Sequence, residues 1–390
     1  MKQLAKRITE TSPKSFGMFA KAMQTGREGL IHLELGRPSA DTPEHIKEAT
    51  IDALRRGDVH YSDLQGVPHL RRALAEKLAR KNDLDVTPDR ILVTNGLTHG
   101  SYAGIMAFLD PGDEAILLEP YYPQHIGKVE LAGATPVLAQ LDASKNYAID
   151  PEAIEAKITE RTKMIVLINP CNPTGRVYSR EELQALADIA IKHDLIVMSD
   201  EVYEDILFDK AEHISIASLP GMDERTITLF AFTKSYAMDG WRLGYLVAPE
   251  AAMSALLKIT TNDCTHVNTF IQDGALAAVT GDPDVLQGLI DEDAEKRQRV
   301  VSRLNQMPGI TCPWPEGTIY AFADISGTGF TSQGFADKLL EEAGVVVEAG
   351  SFYGAAGEGR VRVCFGSASI EDIDLAMDRI QAMVSDRVPA

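Results

Sequence analysis

A lysine and an arginine eight residues apart stand out in ITLFAFTKSYAMDGWRLGY, residues 227–245. The stretch begins as an apolar run that reads as a buried strand, and the run stops at Thr233 and Lys234. Lysine is almost never fully buried without a partner, so a lysine where a strand leaves the core is unusual. Arg242 follows between Trp241 and Leu243, ahead of a second apolar run. An amine and a guanidinium flanking one pocket suit an aldehyde cofactor that also carries a phosphate. The amine condenses with the aldehyde and the guanidinium holds the anion. Taken alone, Lys234 also reads as a solvated lysine in a loop.

Further polar residues sit just past the ends of other apolar runs. Asp200 and Glu201 close DLIVMSDE (194–201), with Tyr203 following; Asn172 follows KMIVLINP (163–170). Gly96, Leu97 and Thr98 follow ILVT (91–94), and Tyr122 follows AILLEP (115–120). Pyridoxal phosphate needs a lysine for attachment, an acid that keeps its ring nitrogen protonated, a phosphate cup and packing against the ring. Asp200 can supply the acid; its alternative is a helix N-cap at a strand–helix junction. Asn172 and Tyr203 can donate to the ring's phenolic oxygen. The Gly96-Leu97-Thr98 turn, opening a helix, offers backbone N–H groups to an anion. Tyr122 can stack on the ring, and His125 can sit behind Asp200. Gly36, ahead of Arg37-Pro38, allows a tight bend or a close approach of backbone to ligand. Arg360 and Arg362 alternate with valines, so both lie on one face of a strand. One planar fork there can clamp an α-carboxylate, whereas Arg360 reads as the polar face of an exposed edge strand.

These residues need a scaffold that gathers them. Strand patterns at 91–94, 115–120, 135–141, 163–170, 194–201, 227–232 and 243–249 alternate with helical patterns. That alternation predicts an α/β fold with a mostly parallel sheet covered by helices on both faces. In such sheets ligands bind beyond the carboxyl ends of the strands, so Thr98, Tyr122, Asn172, Asp200, Tyr203 and Lys234 are expected along one edge. Residues 46–285 are read as this large domain. Residues 1–45 and 286–390, from the two chain ends, are read as a smaller α+β domain. Residues 1 to about 30 read as an amphipathic helix with an irregular lead-in, and Tyr61 and Gly66 fall in a loop. Ser179 and Glu182 form a capping box. Ile370, Ile373, Met377, Ile380 and Val384 make a helical core stripe.

Composition narrows the partners. The chain has 390 residues, 45% of them hydrophobic, and a net charge of -19, which repels nucleic acid and anionic membranes. No apolar run is long enough to span a bilayer, and MKQLAKRITE lacks the apolar block of a signal peptide. Cys171, Cys264, Cys312 and Cys364 are scattered without CxxC spacing, so neither a zinc site nor a disulfide framework is indicated. A soluble cytoplasmic protein without a metal is expected. No G-x-G-x-x-G follows the early strand, which removes a nicotinamide dehydrogenase.

Asn172-Pro173-Thr174-Gly175, Ser199-Asp200-Glu201-Val202-Tyr203, Phe232-Thr233-Lys234 through Trp241-Arg242-Leu243-Gly244-Tyr245, and Arg362 resemble the class I/II aminotransferases. These are fold-type I pyridoxal-phosphate enzymes of the aspartate aminotransferase superfamily. The likeness runs from Gly36 to Arg362. It implies that Lys234 carries the cofactor and moves the substrate's proton, and that Asp200 pairs with the pyridine nitrogen. It places Asn172 and Tyr203 on the phenolic oxygen, and Arg242, Leu97 and Thr98 on the phosphate. Tyr122 matches the stacking aromatic. Arg362 matches the α-carboxylate clamp, with Gly36 and Asn172 beside it. Tyr61 resembles a tyrosine that reaches a neighbouring subunit's phosphate, implying a homodimer with shared active sites. Ala231 replaces a serine common in relatives, so a phosphate contact is absent or supplied by another group such as Thr233. His266 and Asn268 stand where relatives often have serine or threonine. The implied reaction is ping-pong transfer of an amino group from an aspartate, alanine, aromatic or other neutral L-amino acid to a 2-oxo acid such as 2-oxoglutarate. A C–S β-lyase or a decarboxylase on the same scaffold is the alternative, because fold does not fix reaction. A non-catalytic cofactor or amino-acid sensor ranks below both.

Overall fold

The structure, a computed structural model, describes residues 4–9, 11 and 17–386. Its strands in chain order are β1 (Ile31–His32), β2 (Ile91–Thr94), β3 (Glu114–Glu119), β4 (Thr135–Gln140), β5 (Thr162–Ile168) and β6 (Ile196–Asp200). Then come β7 (Thr226–Ala231), β8 (Gly244–Val247), β9 (Tyr320–Asp324), β10 (Val345–Val346), β11 (Glu348–Ala349) and β12 (Arg360–Cys364). Seven of them form the main sheet, in the order β2-β8-β7-β6-β5-β3-β4. β4, β3, β5, β6 and β7 run parallel, while β8 is antiparallel to both β7 and β2. The sheet is therefore α/β and mostly parallel, as the alternating pattern predicts. Residues 232–243, which join β7 to β8, form no crossover helix, and β8 returns antiparallel beside β7.

The near-continuous apolar runs are explained by burial on both faces. Successive side chains of a strand point to opposite sides. Ile165, Leu167 and Val197 pack with Leu183, Leu186 and Ala187 of the Arg180–Lys192 helix. Their neighbours Met164, Val166 and Met198 pack on the other side with Ala103 and Ile105 of the Gly96–Phe108 helix. The Arg180–Lys192 helix begins at the expected capping box. Ser179 Oγ accepts from Glu182 N at 3.3 Å, and Glu182 Oε2 accepts from Ser179 N at 2.8 Å.

The remaining strands form a three-stranded antiparallel sheet, order β11-β12-β9, and a parallel pair, β1-β10. The N-terminal segment is stitched to the C-terminal one: Cys364 N donates to Leu33 O at 2.7 Å, and Leu33 N to Val346 O at 2.8 Å. Met18, Ala22, Ile31 and Leu33 share a core with Ile373, Met377, Ile380 and Val384 of the last helix, Ile370–Ser385. One sequence expectation changes here. β12 is the middle strand, so Arg360 is not on an exposed edge; it pairs with Asp324 of β9 at 3.3 Å. β11 spans two residues, too few to show as a strand pattern. Among the described residues of the N-terminal segment, helices cover Lys6–Thr9 and Gly17–Thr25, and the rest of the amphipathic-helix expectation lies outside the described residues. Among the described residues no helix is long and apolar enough to cross a membrane, and no cluster of His, Cys, Asp and Glu is arranged to hold a metal. All four cysteines are free.

Candidate active site

Lys234 stands three residues beyond the end of β7, after the buried Phe230 and Phe232. Its Nζ donates to Gly36 O. Burial holds the amine well below the ordinary lysine range, at about 8, because charging it there forfeits hydration. Arg242, at the far end of the same connection, has a left-handed backbone with φ 56° and donates from Nη1 to Asp239 O at 2.9 Å. Its guanidinium lies against Gly96, where a Cβ would come within 2.5 Å of Arg242 Nη2. Gly96 also has φ +74°, a left-handed backbone that favours glycine there. The Gly96–Phe108 helix starts at this point, and Asn95 at its N-cap makes no side-chain cap bond. The first N–H groups of a helix have no intrahelical partner. A cation beside an uncapped helix start is an anion cradle.

Asp200 ends β6, and no helix follows it, so it is not a helix cap. It is 3% exposed. Oδ2 lies 3.0 Å from Nε2 of the fully buried His125, and Oδ1 accepts from Val202 N at 3.3 Å. Burial lowers the His125 pKa against the opposing pull of Asp200. A neutral ring with its proton on Nε2 donates to Asp200 and fixes the carboxylate's direction. The result is an ionisable acid facing the cavity with its back to a neutral donor. Nearby, the Tyr203 and Tyr320 hydroxyls lie 2.7 Å apart. Burial pushes the Tyr203 phenol up and that of Tyr320 to about 12, so both stay protonated. Burial likewise raises the Tyr122 phenol.

Arg362 marks the opposite end. It is 6% exposed, donates from Nη1 to Asn172 Oδ1 at 3.1 Å and from Nη2 to Glu34 O, and its Nε has no partner. The guanidinium lies 4.2 Å from the Tyr320 ring centroid and 5.0 Å from that of Tyr353. Two aromatic faces and two acceptors leave the fork little freedom, and a cation so held is prepared for a planar anion. Gly36 serves a close approach: a Cβ there would overlap Tyr320 Oη.

These groups line one cavity of about 360 Å³. Gly36, Leu97, Thr98, Tyr122, Asn172, Asp200, Tyr203, Lys234, Arg242 and Arg362 all reach it. Of the cofactor and substrate contacts that the resemblance implies, Tyr61 alone does not. It is 86% exposed, with its ring edge-on to His266 at 5.2 Å. Asn268 stands at the N-cap of the Thr269–Thr280 helix without a side-chain cap bond. Thr233 lines the cavity and Ala231 does not. Sequence reasoning missed Glu34, Glu348, Tyr320 and Tyr353, which also line it. Tyr320 sits in an apolar strand and Tyr353 in a short helical turn, with no local signal to separate them from core tyrosines. The alternation of His32, at the end of β1, with Glu34 two residues on was the one available sign for Glu34.

A family model described as aminotransferase class I and II matches residues 28–380. The chain is 39% identical over 365 residues to an aspartate aminotransferase of Pyrococcus abyssi, covering 93% of each chain. It is 38% identical to aromatic-amino-acid aminotransferase 2 of Thermococcus litoralis, again over 93% of each. Among solved structures, an alanine aminotransferase of Pyrococcus furiosus superposes with a TM-score of 0.92 at 33% identity, covering 99% of this chain and 100% of that one.

Proposed function

The chain belongs to the class I and II aminotransferases, which are pyridoxal-phosphate enzymes, and from that premise we propose a ping-pong transaminase for L-amino acids. One observation carries the proposal: an amine, a buried carboxylate and two guanidiniums from three distant segments, Lys234 with Arg242, Asp200, and Arg362, converge on a single cavity.

The cavity fits the cofactor. Arg242 with the uncapped start at Gly96, Leu97 and Thr98 suits its phosphate, and Thr233 is placed to stand in for the serine that Ala231 replaces. Asp200 suits a protonated ring nitrogen, Tyr203 and Asn172 the phenolic oxygen, and Tyr122 a ring face. Bound pyridoxal phosphate supplies an electron sink that makes the substrate's Cα proton acidic.

The protein's own groups do the rest. Arg362, with Asn172 and the Gly36 backbone, takes the α-carboxylate and so fixes which Cα bond is exposed. Lys234 Nζ removes the Cα proton; with a pKa near 8, a useful fraction of the amine is neutral at physiological pH. Asp200, oriented by His125, would face the ring nitrogen. The amino group stays behind when the first 2-oxo acid leaves, and a second 2-oxo acid collects it, 2-oxoglutarate being the first acceptor to try. Residues 46–285 form the cofactor domain in this proposal, with 1–45 and 286–390 as the smaller one. The exposed Tyr61 is expected at a second subunit's phosphate in a cytoplasmic homodimer.

A half-reaction screen tests the function. Each amino acid is mixed with cofactor-loaded protein and the visible absorbance followed. Bleaching with stoichiometric 2-oxo acid supports transamination. Release of ammonia and pyruvate from cystathionine, without an acceptor, would replace it with a lyase.

A further inference from the structure

We infer that Glu34 selects amino donors whose side chain ends in an N–H donor or a cation, such as lysine or ornithine, and disfavours a distal carboxylate. The inference deepens the transaminase proposal and rests on it.

Glu34 is 2% exposed and lines the cavity next to the α-carboxylate clamp, since its own carbonyl accepts from Arg362 Nη2. Its two carboxylate oxygens are not equivalent. Oε1 lies 2.8 Å from His32 Nδ1, while Oε2 is buried and has no partner. A buried carboxylate oxygen without a donor carries an unrecovered desolvation cost. Such an oxygen in a ligand cavity is a site for a ligand donor. The second carboxylate there, Glu348, is already committed: its oxygens accept from Met18 N at 3.1 and 3.3 Å and from Ala349 N at 3.1 Å. Asp200 and Asp239 also line the cavity, Asp200 bound to His125 and Asp239 on the Arg242 connection, so Glu34 is the carboxylate beside the α-carboxylate clamp with a buried oxygen that has no partner.

Charge accounting points the same way. Glu34 and Glu348 repel one another and Arg362 offsets part of that charge at Glu348, so a substrate α-carboxylate that neutralises Arg362 leaves the two carboxylates less compensated. A distal ammonium then restores the balance, whereas a distal carboxylate meets a like charge in a water-poor cavity. The only other arginine lining the cavity is Arg242, at the cofactor-phosphate end. The same carboxylate ranks acceptors, with pyruvate ahead of 2-oxoglutarate.

The test uses the full chain loaded with pyridoxal phosphate. Lysine is compared with norleucine, and ornithine with norvaline, each pair differing by the terminal amine; aspartate is run alongside. Single-turnover rate divided by dissociation constant should favour the amine of each pair by about tenfold to a hundredfold, one hydrogen bond to a charged group, with aspartate slowest. In Glu34→Gln, an isosteric change, the ratio should fall to near unity. Equal or faster reaction of norleucine in the parent would overturn the inference, and so would an unchanged ratio in Glu34→Gln. Either result leaves transamination standing. If no amino acid bleaches the band, the transaminase proposal fails and this inference with it. Glu34→Leu, checked for folding by circular dichroism, repeats the test without any side-chain acceptor.

Discussion

Replacing Arg362 by lysine isolates what the fork contributes beyond its charge. The guanidinium is buried, bonded to Asn172 Oδ1 at 3.1 Å and to Glu34 O, and held between Tyr320 and Tyr353. A carboxylate gripped by two parallel N–H donors gains two charge-assisted bonds, each worth about 1.5–3 kcal/mol. Lysine keeps the charge and one of those bonds. The expected loss is about 1.5–3 kcal/mol, or roughly ten- to 150-fold in kcat/KM. Arg362→Ala also removes the counter-charge and uncovers both rings, so its loss should be larger, about 3–5 kcal/mol. Cofactor retention should change less, because Arg242 at the other end of the cavity still holds the phosphate. Steady-state kinetics with the best donor, paired with cofactor absorbance, makes the comparison. A kcat/KM for Arg362→Lys within about threefold of the parent would refute the two-bond clamp. So would loss of cofactor in place of loss of substrate affinity.

Arg242→Ala removes the cation at the uncapped helix start. Its cofactor dissociation constant, from titration of the apoprotein, should rise about ten- to a hundredfold. Gly36→Ala drives a Cβ into Tyr320 Oη. Expected are about 1–3 kcal/mol of destabilisation in urea from overpacking and a loss of activity as the Tyr203–Tyr320 pair shifts. Lys234→Met tests the burial of the amine. Lys234 titrates near 8 in the folded apoprotein against 10.5 for an ordinary lysine. Between these values the unfolded chain binds more protons, so folding stability rises with pH across that window, and the full penalty applies below it. Lys234→Met escapes the penalty. At about pH 7 its apoprotein should be the more stable by roughly 1–3 kcal/mol, a value reduced for water reaching the half-buried amine, and the gap should close towards pH 10. A gap that does not vary with pH would show that burial does not depress this amine.

Ten of the eleven cofactor and substrate contacts that the resemblance implies line the cavity, and the physical reason is that strand ends are legible. Asp200, Asn172, Tyr122 and Lys234 each follow an apolar run, and a parallel sheet brings the ends of its strands to one edge. The antiparallel course of β8 was not legible, since periodicity carries no direction. The central position of β12 was hidden because β11, only Glu348 and Ala349, is too short to form a pattern. Tyr320 and Tyr353 were missed because their function depends on which guanidinium they flank, a fact of tertiary packing. Tyr61 is the one residue whose place the single chain leaves outside the cavity, where it lies beside His266 on the surface.

The most direct measurement is chemical trapping at Lys234. Protein loaded with pyridoxal phosphate is reduced with borohydride, digested and mapped by mass spectrometry. The cofactor should be fixed to the peptide that contains Lys234, and Lys234→Ala should carry no label and show no steady-state transamination. A label on another lysine, or near-normal turnover by Lys234→Ala, would contradict the placement of the reactive amine.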